Sequence, residues 1–224
     1  MPGQMSTPAR ARDGRSTRDT VIAAATKLMR LHGYQKTSLD DVLRESGVGK
    51  GNFYHYFKSK EELGHAILDQ LISEFLDRTL EPCFAAEVAN PVGQIRCFLD
   101  RVLELQRGSN CVGGCPLGNL ASELSDVHEG FRTRLAAIFV AWRDRLTRAL
   151  DDARTRGLVT DDCAPAAVAH FVVASLEGAI LLAKVTKDID AMERSVVELK
   201  RYLAGYERSA SGSERSVAAP EGSR

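Results

Sequence analysis

Two stretches and one outlying lysine gather the side chains able to do chemistry. The first stretch is Gly49-Lys50-Gly51-Asn52-Phe53-Tyr54-His55-Tyr56-Phe57. Lys50 supplies positive charge, Asn52 can make paired hydrogen bonds to an adenine edge, and Gly51 lets a backbone approach closely. Tyr54, His55 and Tyr56 carry donors on stiff rings, which suit phosphate oxygens. Lys60 falls in the first turn of a following helix, where free N–H groups already favour an anion, and Ser38 caps the helix before. The second stretch is Cys111-Val112-Gly113-Gly114-Cys115-Pro116, and Lys184 lies far downstream at the end of an apolar run.

The cysteine stretch admits several chemistries. Gly113 and Gly114 imply a bend, and Pro116 suits the first position of a helix, so Cys115 is expected at the N-cap. A thiol there has its pKa lowered by free N–H groups and the helix dipole, which makes it more reactive at neutral pH. The plainer reading is a small buried hydrophobe, the usual fate of a free cysteine. Cys111 and Cys115 alone lack the second ligand pair that zinc requires, so no metal is expected. A thiol enzyme needs a partnered base, and His128 stands in no recognisable nucleophile motif. No cofactor-binding loop is visible. The five cysteines, Cys83, Cys97, Cys111, Cys115 and Cys163, are odd in number and scattered, which points to reduced thiols in a cytoplasm rather than a disulfide framework.

The first stretch needs elements to hold it. Ser38 with Asp41 three residues on reads as an N-cap and its carboxylate partner. Leu39, Val42 and Leu43 share one helical stripe, and Gly47 stops that helix. A short helix follows at about 49–57, with Phe53 and Phe57 inward one turn apart. Ser59-Lys60-Glu61-Glu62 reads as a second capping box. Upstream, Ser16 caps a helix whose stripe is Val21, Ala24, Ala25, Leu28 and Leu31, ending at Gly33. Two short helices joined by a tight Gly turn are what a helix-turn-helix DNA reader needs. The plain alternative is a small helical subdomain with aromatic packing.

The run from Gly47 to Leu63, Gly-Val-Gly-Lys-Gly-Asn-Phe-Tyr-His-Tyr-Phe-Lys-Ser-Lys-Glu-Glu-Leu, closely resembles the signature of the TetR family of transcriptional repressors, over about Arg18 to Leu68. The stretch 108–123 resembles the body of family members that respond to reactive electrophiles, such as those named for N-ethylmaleimide. In these a cysteine in a Gly-Cys-Leu-type turn senses the modifier, and it corresponds to Cys115. Pro116 and Gly118 depart from that pattern, and relatives with a Gly-Cys-Pro turn bind ligands noncovalently. Lys184 resembles a lysine that neighbours the sensing cysteine, where an ammonium would favour the thiolate. Its other reading is a helix C-terminal lysine complementing the dipole.

Charge agrees with a nucleic-acid binder. Residues 1–60 hold eleven Arg and Lys against five Asp and Glu, a net of +6, and the chain as a whole is neutral, so the remainder carries −6. A basic head on an acidic body is the electrostatic footprint of such proteins. Domains are expected at 16–62 for the DNA-binding unit and 63–206 for a helical ligand-binding and dimerisation unit, with a disordered arm at 1–15 and tail at 207–224.

Helices are expected at about 61–80, 90–108, 128–156, 165–185 and 189–206. Trp142 and Phe139 would line a ligand cavity or sit in plain core, and Glu177 offers a polar contact there or at an interface. The 165–185 helix is apolar on more than one face, so it must be buried on both sides. The resemblance implies that the last two helices meet their copies in a dimer's four-helix bundle, through Val168, Phe171, Val172, Ser175, Ala179, Val196, Leu199 and Leu203. No run is expected to reach membrane-spanning length and no signal-peptide region is visible, so the expectation is a cytoplasmic protein without membrane contact.

The expectation is therefore an all-α homodimeric repressor. It would bind a pseudo-palindromic double-stranded operator and be released by a small molecule, an electrophile or oxidant acting at Cys115. The alternatives are a noncovalent apolar ligand and, from another class, a thiol-dependent enzyme.

Overall fold

A computed structural model describes residues 16–85 and 90–208. The expected arm at 1–15 lies outside the described residues. The chain divides into two units, one ending at Asp69 and the other beginning at Gln70, rather than after residue 62. The first turns of the fourth helix, with buried Leu63, Gly64, Ala66, Ile67 and Leu68, belong to the first unit.

In the first unit, Ser16 Oγ accepts the Asp19 N–H at 3.2 Å and opens α1, Thr17–His32. Its buried face is Val21, Ile22, Ala24, Ala25 and Met29, while Leu31 is exposed. The inward stripe is thus rotated from the expected one, because it is set by contact with α2, Leu39–Ser46, and α3, Lys50–Tyr56. The capping box at the start of α2 is complete. Ser38 Oγ accepts the Asp41 N–H at 3.1 Å, and Asp41 Oδ2 accepts the Ser38 N–H at 3.1 Å. Gly47 then takes the left-handed conformation, φ 66°, that ends the helix at little steric cost.

α4 runs Lys60–Phe75. Its cap differs in detail from the expected box. Ser59 Oγ accepts the Glu62 N–H at 3.0 Å, but the Glu62 carboxylate takes the Lys58 N–H at 2.7 Å. The helical path reaches Leu80 as expected, yet not as one α-helix. Leu76–Leu80 widens into a π turn, and a 3₁₀ turn follows at Glu81–Phe84, where Pro82 contributes no N–H. The Arg101 side chain donates to the Arg78 carbonyl at 2.8 Å, satisfying one acceptor in that irregular stretch.

The second unit continues with α5 Pro91–Gly108, α6 Pro116–Leu124, α7 Glu129–Thr155, α8 Pro165–Thr186 and α9 Ile189–Ala204. The described residues are all-α, apart from one isolated bridge between Val159 and Glu207. The core joins Phe98, Leu99, Trp142, Leu146, Val172 and Leu176 with their neighbours on α5, α7, α8 and α9.

Three expectations fail here. The Cys83 and Cys97 sulfurs are bonded, with Cα atoms 5.5 Å apart, a separation native disulfides favour. The reading of five reduced thiols is corrected to three, Cys111, Cys115 and Cys163; the 3₁₀ turn and α5 bring the other two together. The tail does not begin at residue 207. Glu207 pairs with Arg96, and the Arg208 N–H donates to the Leu158 carbonyl at 2.9 Å; residues 209–224 lie outside the described ones. Finally, α8 is by length and composition apolar enough to cross a membrane, with mean hydropathy 1.9. It is a core helix instead: Val168, Ala169, Val172, Leu176, Ala179, Ile180 and Ala183 pack inside the unit.

Candidate nucleic-acid interface and ligand cavity

α3 sorts its residues into two faces. Phe53 and Phe57 are fully buried, with rings 5.6 Å apart. Lys50, Gly51, Asn52, Tyr54, His55 and Tyr56 are exposed. Tyr54 packs edge-on against Phe53 at 5.3 Å, and His55 edge-on against Tyr56 at 4.9 Å. Buried anchors thus stiffen rings whose polar ends meet solvent. Two expected contacts are otherwise engaged. Ser38 is committed to its cap through Asp41. Lys60 is half-buried, its ammonium 4.5 Å from the Tyr34 ring centroid and donating to the Gln35 carbonyl at 3.3 Å. It braces the turn ahead of α2.

A cavity of about 330 Å³ opens in the second unit, lined chiefly by Cys115, Asn119, Ser122, Glu177, Leu181 and Lys184. It brings together three residues expected to act in sensing: Cys115, Glu177 and Lys184. It does not contain the other three. Cys111 is buried in the core. Trp142 sits among Phe75, Phe98 and Phe139, at ring separations of 5.2, 5.4 and 6.0 Å, so the two aromatics expected near a ligand are core. Asn119, Ser122 and Leu181 are residues that sequence reasoning missed. Helical arithmetic could have found them, because Asn119 lies one turn beyond Cys115 and Leu181 one turn beyond Glu177.

Cys115 caps α6 as expected, its Sγ accepting the Gly118 N–H at 3.3 Å. Its acidity is the reverse of the expectation. Burial pushes the thiol pKa well up, and the Glu177 charge adds to that. The Gly118 and Leu117 N–H groups pull the other way and lose. Lys184 does not assist the thiolate; its ammonium donates to Asn119 Oδ1 at 2.9 Å. Burial also raises the Glu177 pKa, and the Cys115 thiol hydrogen bond partly offsets it.

Two bare positions make this arrangement possible. A Cβ on Gly118 would stand 2.5 Å from Glu177 Oε2, and one on Gly114, at φ +65°, would stand 2.9 Å from Lys184 Cδ. The departure at Gly118 noted in the sequence is therefore the space Glu177 occupies. A neutral thiol gives a direct expectation. N-ethylmaleimide should modify Cys115 at pH 7 at least about tenfold more slowly than free cysteine, one pKa unit being tenfold in thiolate. The rate should climb as pH rises, and Glu177→Gln should raise it. Mass spectrometry over a time course measures this; labelling as fast as free cysteine would refute it.

Residues 21–67 match the family described as bacterial regulatory proteins, tetR family, and residues 91–199 match a tetracyclin repressor-like C-terminal domain. An uncharacterized HTH-type transcriptional regulator in the lacX 3' region of Lactococcus lactis subsp. lactis is 32% identical over 186 residues, covering 83% of this chain and 92% of that one. The chain belongs to the TetR family. The HTH-type transcriptional repressor DhaR of Mycobacterium sp. strain GP1 is 28% identical over 177 residues, covering 79% and 87% of the two chains. The crystal structure of reduced E. coli NemR superposes with a TM-score of 0.74 at 27% identity, covering 84% of this chain and 96% of NemR. These TetR-family matches are transcriptional regulators, and the thiol-enzyme alternative is set aside on that ground.

TetR-family membership gives the apolar surface of α8 and α9 its interest. Of the eight residues expected to face a partner, Val168, Val172, Ala179, Val196, Leu199 and Leu203 are buried in the protomer's own core. That expectation is corrected. Ser175 is half-buried and only Phe171 is exposed. A helix apolar all round has two stripes, and composition does not say which faces inward. The outward stripe is Phe171, Gly178, Leu181, Leu182 and Val185, joined by Val197 of α9. Val185 is 71% exposed.

Proposed function

We propose that this TetR-family regulator is a homodimeric transcriptional repressor that reads a pseudo-palindromic operator with α3 and leaves it when a small molecule occupies the Cys115–Glu177–Lys184 cavity. One observation carries the DNA reading: α3 buries Phe53 and Phe57 and turns its other five side chains and Gly51 to solvent. A helix so anchored fits a major groove, and two copies related by a dimer axis meet two half-sites. The apolar stripe of α8 supports self-association, since contiguous exposed apolar surface of this kind marks interfaces.

Occupancy of the cavity has a physical route to the DNA. Gly178 and Leu181 line the cavity and also belong to the exposed α8 stripe. A ligand seated against them changes the surface on which two copies pack. It shifts the population away from the DNA-binding arrangement only to the extent that it binds the two arrangements differently. With the Cys115 thiol held neutral, the geometry favours reversible, noncovalent binding over modification.

Mobility-shift titrations on the DNA upstream of the chain's own coding sequence test this. Binding should be sequence-selective and weaken with salt. Lys50→Ala should flatten the log–log salt dependence by roughly one charge per half-site. Asn52→Ala should cost about 1–3 kcal/mol at one base pair, with specificity relaxed there. A folded dimer that binds no sequence selectively, or whose binding ignores both substitutions, would refute the reading.

A further inference from the structure

Resting on the reading of the cavity as the effector site, we infer that its ligand is a compact zwitterion, an ammonium joined to a carboxylate by a short methylene chain. The cavity presents one acid and one base, Glu177 and Lys184, on the same helix. They do not pair with each other. Lys184 is held by a neutral amide, Asn119 Oδ1 at 2.9 Å, and that amide is itself fixed by donating to the Gly113 carbonyl at 2.5 Å. Glu177 is met by a neutral thiol, Cys115, and its other oxygen, Oε1, is buried with no hydrogen-bond partner among the described residues. A buried acceptor left open costs free energy until a donor reaches it. The two charges are therefore kept apart, each oriented by an uncharged neighbour, and one is incompletely satisfied.

Neither charge alone selects such a ligand. A simple amine would satisfy Glu177 and sit in the same cavity as an unneutralised ammonium. A simple carboxylate would satisfy Lys184 and meet the Glu177 acid. A molecule with both ends satisfies both, and Ala121, Ile180 and Leu181 offer apolar lining for the methylenes between. The helix bounds the length only loosely. Seven residues at about 1.5 Å rise place the Glu177 and Lys184 backbone positions roughly 10 Å apart along the axis, and both flexible side chains reach into the space between. A series with three to five methylenes therefore brackets the separation of the two charged ends. Gly114 and Gly118 hold the space open, since a Cβ at either would strike Lys184 or Glu177.

Calorimetry and thermal shift on the full chain, with 4-aminobutyrate, 5-aminopentanoate and 6-aminohexanoate against butyrate and butylamine, test the assignment. At least one amino acid should bind at least tenfold more tightly than both one-ended probes. Glu177→Gln should reduce its affinity to that of butyrate, and Lys184→Met to that of butylamine, in variants that keep wild-type circular dichroism and operator binding. Equal binding of a one-ended probe, unchanged binding by either variant, or no binding of any amino acid at millimolar concentration overturns the zwitterion assignment. Ser122→Trp, which puts a large side chain into the cavity lining, separates this from the underlying reading. If a one-ended probe binds wild type and releases operator, but does neither with Ser122→Trp, the effector site stands and only the ligand class is wrong. If ligand-driven operator release survives Ser122→Trp, the effector-site reading fails as well.

Discussion

Phe53→Ala is expected to cost the first unit about 3–5 kcal/mol, the range for emptying a buried phenylalanine site, and to abolish operator binding. Phe53 is wholly buried and touches both the Phe57 and Tyr54 rings. The described part of the unit around it is only residues 16–69, and domains of that size bury too little surface to absorb such a loss. The damage is also specific. α3 has no side-chain cap at Gly49, so its hold on the unit is the Phe53–Phe57 pair. Circular dichroism should show part of the helix content melting early while the second unit persists, with no sequence-selective mobility shift. A variant with wild-type operator affinity would mean that α3 is held by something other than its buried rings.

The second large effect concerns Cys83 and Cys97. Their bond closes a loop of fourteen residues in sequence separation. In the chain-entropy account a loop near that size is worth about 3 kcal/mol. For a unit of this length that corresponds to a fall in melting temperature of roughly 6–12 °C. Wild-type protein purified without reductant should therefore melt lower in dithiothreitol. The Cys83→Ser, Cys97→Ser double variant should melt near the reduced value in either buffer. If dithiothreitol moves both proteins equally, or neither, the bond contributes nothing to the folded chain in solution.

Much of the first unit was legible because its signals are local. Ser16, Ser38 and Gly47 announce helix ends through chemistry that acts within four residues, and all three do so in the fold. The alternation of Phe53 and Phe57 with polar neighbours fixed which side of α3 turns outward. The second unit was less legible because its decisive facts are long-range. Cys83 and Cys97 meet across a turn whose shape no periodicity encodes. Which stripe of α8 belongs to the core depends on α7 and α9, so Val168 and Val172 were assigned outward while Leu182 and Val185 were not. Cys115 shows both cases. Its cap position follows from Pro116, but its acidity follows from burial in the folded unit, with the charge of Glu177, sixty-two positions away in the numbering, adding to it.

The bare backbone at Gly118 has a consequence for how such regulators diversify. One methyl group there would displace the Glu177 carboxylate and leave α3, which lies in the other unit, untouched. A single-codon change could thus retune what the protein answers to while the address it occupies on the chromosome stays the same. Inheritance of the operator and inheritance of the stimulus are separable traits in this architecture, and a duplicated copy could acquire a new inducer before it acquired a new promoter.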